Sequence, residues 1–524
     1  MNESARKFAL IDYLFLVLIL GIIFSQSLHT INQIGPSWDE PVYFHSVKDY
    51  YNWFHSWGYG EAFKRRTLER IFSLGLFTDC NPTLPKFLAT ISYSLFKNVL
   101  GEFSAYRLYA PILFGLLLAL IYLRATLSWG RLAGISAVLC TGLMPRLFTD
   151  GHIGATEAPL MFFWFLTTIV FEASFKKRWL MLVAGVCYGL AMSVKFTGFL
   201  VLIPLLFWAL IYHRKNSFYP ALCLFLIGPL VFFLLEPSMW DDPFGDFLEF
   251  LQFSLFRKDK TEIPVLFLEK LYEFSAPFYY APFMVMITTP ILTLALFLFG
   301  LVRAGINRLA DEAIASSVIH FLFFMLIMML PNAPTYDGVR LFDPAFIFLG
   351  LLAGYGFAGI ISSIKKLRAN LFSQVFAMIA LIADASYPLL QVYPYGLEYY
   401  NELIGGVSGA RARGMETTYW WTVVNKDAIN RVNQRVSPNS SLVCWPPAPN
   451  ICAFYQELGL LRKDIQITRK TDFNYLLYLS RPVWNPEWLF LELGLTTEDM
   501  LLVDKEELDG VPLWTLYYQK QGED

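Results

Sequence analysis

The chain has 524 residues, of which 56% are hydrophobic and only 16% charged, with a mean hydropathy of +0.46. A soluble domain carries roughly a quarter charged residues, so this composition excludes an ordinary soluble enzyme and indicates a membrane protein. The formal net charge of -2 argues against nucleic acid as a partner.

A spanning helix needs about 20 apolar residues. The hydropathy pattern predicts about eleven spans, at 9–28, 106–126, 131–147, 157–174, 179–195, 197–212, 218–236, 279–301, 314–331, 342–362 and 371–390. The first of these is too long for the apolar core of a signal peptide and has no small-residue cleavage site, so it reads as a retained anchor. Basic residues mark one side of the membrane: Arg6-Lys7, Arg124 with Arg131, Lys176-Lys177-Arg178, Arg214-Lys215, Arg303 with Arg308, and Lys365-Lys366-Arg368. By the positive-inside rule that side is cytoplasmic, as is the N-terminus. The apolar stretch from Leu180 to Leu210 would be about 45 Å long as one helix. Basic residues at both of its ends require two crossings, with Lys195 and Gly198 at an outer turn. The outer segments are then 29–105, 146–157, 195–198, 237–278, 332–341 and everything after about 391.

The first outer segment opens with Ser37-Trp38-Asp39-Glu40-Pro41, two adjacent acids just beyond a span. One reading is a capping box, with Ser37 at the N-cap and Glu40 at N3 of a helix through Val42–Tyr51. The other, compatible with it, is that Asp39 acts as a base toward an acceptor hydroxyl, with Glu40 beside it. Further on, 85–100 reads as an amphipathic interfacial helix. The short loop after Pro145 brings together Arg146, Asp150, His152 and Glu157, more ionisable groups than a turn requires. Lys86, Arg107, Lys195 and Arg340 each fall near the outer interface. Snorkelling explains any one of them. Together they oppose the positive-inside bias and ask for an anionic ligand such as a lipid-linked phosphate. Fixed cations there would stabilise charge growing on a leaving phosphate.

After Tyr393 the composition becomes more polar. Strand-like runs at 441–445, 465–468, 475–479 and 513–518 alternate with a helical pattern at 450–461. These predict an outer α/β domain over 391–524, following a membrane domain over 1–390. Cys444 and Cys452 pair if that region lies outside the cytoplasm. The chain contains no P-loop, HExxH or GxSxG motif. With no cytoplasmic domain to hold a nucleotide, a sugar donor would have to be lipid-attached already.

The acidic pair after the first span, Asn81-Pro82-Thr83-Leu84-Pro85-Lys86, the Arg146–Leu160 loop, the stretch from Gly189 to Gly198 and Tyr336-Asp337-Gly338-Val339-Arg340 occur in an order that resembles the GT-C glycosyltransferases. Within them the likeness is to the protein O-mannosyltransferase and aminoarabinose-transferase branch. The resemblance implies a mainly α polytopic fold with a small extracytoplasmic α/β domain. It also implies inverting transfer of a sugar from a polyprenyl-phosphate donor at the periplasmic face of a bacterial inner membrane. Asp39 matches the family base, while Lys86, Lys195 and Arg340, with Arg107 added from its position, would face the donor phosphate. Arg146, His152, Glu157, Trp38 and Tyr336 would line the site or the acceptor path. The resemblance leaves the cofactor open, since some relatives bind a divalent metal and others need none; Asp39, His45 and above all His152 and Glu157 are the candidate ligands. Glu157 stands where the family commonly has Asp, and Asn81 where it usually has His. The expected partners are a polyprenyl-phosphate-linked sugar, membrane lipids and an acceptor of unspecified kind. Two alternatives are a ligase or polymerase of lipid-linked glycans, and a transporter or flippase of such lipids.

Overall fold

The computed structural model describes residues 9–57, 60–72, 81–256, 263–364, 370–446, 451–469, 473–483, 490, 496 and 499–520. The Arg6-Lys7 and Lys365-Lys366-Arg368 groups, and Cys80, lie outside them.

Each of the eleven predicted spans corresponds to helix. Five helices among the described residues are long and apolar enough to cross a bilayer alone: Leu10–Thr30, the run Glu102–Trp129, Phe218–Leu235, Pro344–Ser363 and Leu371–Val392. The others are shorter, including Arg131–Gly142, Leu180–Met192, Phe196–Tyr212, Ile291–Ile306 and Glu312–Met328. Pro344–Ser363 is the central helix, buried along most of its length. Its glycines explain how neighbours come so close: a Cβ on Gly354 would stand 2.5 Å from the Ala133 carbonyl oxygen, and one on Gly356 2.2 Å from that of Leu296. Where lipid surrounds the bundle there is little hydrophobic gain from burying one apolar helix against another, so close backbone contact carries the packing.

The span expected at 279–301 is broken. Helix Tyr280–Thr288 stops at Thr289-Pro290 and a second helix, Ile291–Ile306, takes over. Proline supplies no N–H and displaces the preceding turn. The freed carbonyls are taken up from outside the span: Asn401 Nδ2 donates to Met286 O and Thr289 O, both at 2.7 Å, and Asn401 N to Ile287 O at 2.8 Å. Non-helical backbone at this depth is tolerated because protein satisfies it. The 180–212 stretch also divides as expected. Helix Leu180–Met192 ends, Lys195 is extended, and a 3-10 turn at Phe196–Val201 leads into Leu202–Tyr212.

The first outer segment is helical. Helix Glu40–His55 crosses helix Leu84–Leu100, whose start is pinned by Leu84 N donating to Ser193 O at 3.1 Å. The 85–100 helix buries one face and leaves Ile91, Leu95 and Val99 exposed, the pattern expected of an interfacial helix. The segment 237–278 contains helix Pro243–Leu255 and a small hairpin, β1 (Val265–Phe267) and β2 (Lys270–Tyr272), which the sequence did not suggest.

The C-terminal region builds a five-stranded sheet from β3 (Ser441–Trp445), β4 (Gln466–Ile467), β5 (Tyr475–Leu479), β6 (Met500–Leu508) and β7 (Val511–Gln519), in the order β4-β3-β5-β7-β6. β3 is parallel to β4 and β5, whereas β7 runs antiparallel to β5 and β6. β6 escaped the sequence reading because it is an edge strand whose charged residues blur alternation. Cys444 and Cys452 form a disulfide joining β3 to helix Ile451–Glu457. That helix lies against the first outer segment, where Phe454 packs edge-on to Phe44 and Glu457 pairs with His45 at 2.7 Å.

Candidate active site

The acids Asp39 and Glu40 are neighbours in sequence but point different ways. Consecutive residues at a helix start are about 100° apart around its axis, so two adjacent side chains cannot serve one site. Glu40 turns inward. Its carboxylate and Arg107 are both fully buried and meet at 2.6 Å through two bonds, from Arg107 Nε and Nη2. Arg107 also donates to the carbonyls of Ile31 at 2.8 Å, Ile34 at 2.7 Å and Gly35 at 2.8 Å. All five guanidinium N–H groups are therefore taken. Arg107 is a clamp on the loop before Asp39 and has no donor left for a phosphate. Glu40 accepts in addition from Ser37 N at 2.7 Å and Gly154 N at 2.8 Å. The capping box is thus half formed, with the Glu40 side chain reaching back while Ser37 Oγ makes no hydrogen bond. Glu40 is structural, not a catalytic acid.

Asp39 turns outward. Its side chain is 27% exposed and accepts from Arg340 Nη2 at 3.2 Å. Arg340 is the hub. Its Nη1 donates to Asp337 at 3.1 Å, and its Nε lies 3.4 Å from Glu157 Oε1. The same Glu157 oxygen accepts from Lys195 Nζ at 3.0 Å. Asp39, Arg340, Glu157 and Lys195, scattered from 39 to 340 in the chain, form one continuous line of charge. Asp337 and Gly338 hold the turn before Arg340 with left-handed backbone, at φ 55° and 71°. Crowding out of water holds the Asp39 carboxyl above its ordinary range; Arg340 opposes this, while Glu157 and Asp337 add to it.

Beside Arg340 lies a small, partly open pocket lined by Arg146, Asp150, Asp337, Val339, Arg340, Leu397, Tyr419 and Trp420. Arg146 donates from Nε to Tyr399 O at 3.0 Å and sits 4.9 Å from the ring centres of both Tyr400 and Tyr419. Trp420 lies under the Arg340 guanidinium at 3.8 Å. Its carbonyl accepts from Trp38 N at 2.9 Å, which ties the segment after the last span to the residue before Asp39.

Other expected site residues stand elsewhere. His152 is fully buried against Phe114 and Phe148, with Nδ1 2.6 Å from Phe148 O, and does not line the cavity. Burial lowers it to about 4, so it is neutral at ordinary pH. Among the described residues no group of three or more His, Cys, Asp or Glu is arranged to hold a metal ion, and the His152 and Glu157 pair does not make one. Lys86 donates to Asn81 O at 2.9 Å at the start of helix Leu84–Leu100, two residues beyond the contact with Ser193. Tyr336 is buried against Phe274 and does not line the cavity.

Four contributors were not singled out from the sequence as site residues. Asp150 lines the cavity, 1% exposed; burial and the neighbouring Glu157 charge hold its carboxyl above the ordinary range. Asp343, one turn past Arg340, is equally buried. Arg481, from beyond β5, bonds Glu416 at 2.9 Å and pairs with Asp337 at 3.3 Å. Trp420 is the fourth. The first had a signal, as an acid in the crowded Arg146–Glu157 loop. Arg481 and Trp420 come from a region whose approach to the helices no periodicity reports.

Residues 81–240 match the family model of the dolichyl-phosphate-mannose-protein mannosyltransferases. ArnT from Cupriavidus metallidurans in the apo state superposes with a TM-score of 0.53 at 14% identity, over 96% of this chain and 97% of that one. The same protein bound to undecaprenyl phosphate gives 0.50 at 13% identity, over 96% and 97%. No curated protein matches the sequence.

The fold is that of the GT-C glycosyltransferases. The family-model match covers the part of the chain that carries Lys86, Arg146, Glu157 and Lys195. The charged line sits where the outer helices, the Arg146–Glu157 loop and the segment after the last span meet.

Proposed function

We propose that the chain is a glycosyltransferase that moves a sugar from a polyprenyl-phosphate donor to an acceptor hydroxyl on the non-cytoplasmic face of a bacterial inner membrane, with inversion. The N-terminus is cytoplasmic and the 391–524 domain periplasmic in this reading, as the basic loops require. The observation that carries it is the contact of Asp39 with Arg340, continued through Glu157 to Lys195. It puts a partly exposed carboxylate beside two cations, the arrangement a displacement at a phosphate-linked carbon needs.

Asp39 takes the acceptor proton as the acceptor oxygen attacks the anomeric carbon. The bond from that carbon to the phosphate oxygen breaks, and its electron pair stays on the phosphate. Negative charge grows there, where Arg340 and Lys195 stand fixed in a poorly hydrated setting, so they favour the transition state over the bound ground state. A single displacement inverts the anomeric centre. That ArnT has been crystallised with undecaprenyl phosphate supports the choice of donor. A flippase would place its charges near mid-span; here they gather at the helix ends beneath the C-terminal region.

Asp39→Asn tests the assignment directly. The variant should express and bind undecaprenyl phosphate normally yet lose sugar transfer by about 10²–10⁴-fold, the usual contribution of a general base. Turnover within tenfold of the parent would remove Asp39 from the mechanism.

A further inference from the structure

The cavity beside Arg340 is built unlike a packing defect. Among the described residues the Nε1–H of Trp420 has no hydrogen-bond partner, although the residue is only 3% exposed. Arg146 Nη2 is likewise unpartnered at 3% exposure. Buried polar groups are almost always satisfied, so two donors left open around one pocket mark a place for a polar guest that accepts hydrogen bonds. The backbone is also committed to this shape. Trp420 and Trp421 lie at φ 55° and 70°, a left-handed region that aromatic residues avoid. They are held there by Trp38 N on Trp420 O at 2.9 Å and Gly35 N on Thr422 O at 3.0 Å. Strain of this kind persists where surrounding structure enforces it, and it collects at binding sites.

Charge narrows the guest. Asp39, Asp337, Glu157 and the hydrogen-bonded pair of Asp150 and Asp343 are matched by Arg146, Arg340, Lys195 and Arg481 around the pocket and its rim, so no surplus cation is left for a carboxylate on the guest. Hydroxyl oxygens, which accept without carrying charge, suit the open donors. Resting on the glycosyltransferase reading above, we infer that this cavity recognises the transferred sugar, a neutral hydroxylated ring and not a uronic acid. The Trp420 indole and Arg146 donate to its oxygens. The ring face of Trp420 keeps Arg340 aligned, so one residue serves both the sugar and the phosphate-facing cation.

The test separates sugar from phosphate. The full-length chain in nanodiscs is titrated with bare undecaprenyl phosphate and with its mannosyl, glucosyl, galactosyl and aminoarabinosyl forms. The wild type should hold at least one glycosylated lipid more tightly than the bare one. Trp420→Phe, which keeps an aromatic face and removes the N–H, should reduce that preference about tenfold, the scale of one lost hydrogen bond. Its affinity for the bare lipid should stay within about threefold, which also shows that it folds. Arg146→Gln should behave similarly. Equal loss on bare and glycosylated lipid, no loss on either, or a wild type without any sugar preference each overturns the inference while leaving the donor reading intact. A wild type that binds none of the five lipids removes the donor reading, and the sugar pocket with it.

Discussion

Replacing Arg107 distinguishes a structural cation from a phosphate ligand, and the structure sets the size of the effect. Arg107→Met keeps much of the volume and removes five hydrogen bonds at once. Glu40 is left at zero exposure with the Ser37 and Gly154 N–H groups as its remaining donors. Stranding one member of a buried ion pair costs about 3–5 kcal/mol. Three bared carbonyls add to that, about 1 kcal/mol or more each where water cannot reach them. The sum approaches the whole stability of a typical domain, about 5–15 kcal/mol. The variant should therefore accumulate poorly and melt far below the parent in detergent. Adding Glu40→Gln removes the stranded charge and should recover a large part of the loss, a coupling that a thermal-melt double-mutant cycle would read. An Arg107→Met protein that melts like the parent but no longer binds undecaprenyl phosphate would refute this reasoning and return Arg107 to the donor site.

Further outcomes follow from the same geometry. Asp39 acts as a base only when ionised, and its pKa lies above the ordinary value of about 3.9. The transfer rate should accordingly fall as pH drops through that raised pKa, and Arg340→Met, which removes the opposing charge, should move the inflection higher; an inflection at or below the ordinary value in the pH–rate profile contradicts this. Lys195→Met combined with Glu157→Gln, which avoids stranding the acid, should weaken undecaprenyl-phosphate binding about tenfold or more in a lipid titration while the protein remains folded. Arg481→Met should lower kcat more than it changes KM for the donor, because Arg481 reaches the site only through Asp337 and Arg340. Unchanged kcat would confine Arg481 to anchoring Glu416. Asn401→Leu should lower the melting temperature markedly by leaving the carbonyls at the broken span unsatisfied.

The membrane class and the order of the apolar helices were written in the chain, because lipid thickness imposes a length that local hydropathy reports directly. Lys195 at a turn was also legible, since basic residues on both flanks forced two crossings. Asp39 stood out only as a candidate, because a helix cap accounts for the same pair of acids. The division of labour between Asp39 and Glu40 was not legible. It depends on which side of one helix meets Arg107, a residue 67 positions from Glu40. Arg107 and Arg340 look alike in sequence, each a cation near the outer interface. Only the fold surrounds the first with carbonyls and sets the second between Asp39, Asp337 and Glu157. His152 was misread for the same reason, since burial against aromatic rings is a property of neighbours. Trp420 and Arg481 reach the site because the chain returns to the helices after its last crossing, and contacts made at such long separation leave no local period. Sequence alone determined where the apolar helices lie and where the ionisable groups cluster along the chain. Tertiary packing decided which of those groups meet, because burial and pairing belong to the surroundings of a side chain and not to its place in the chain.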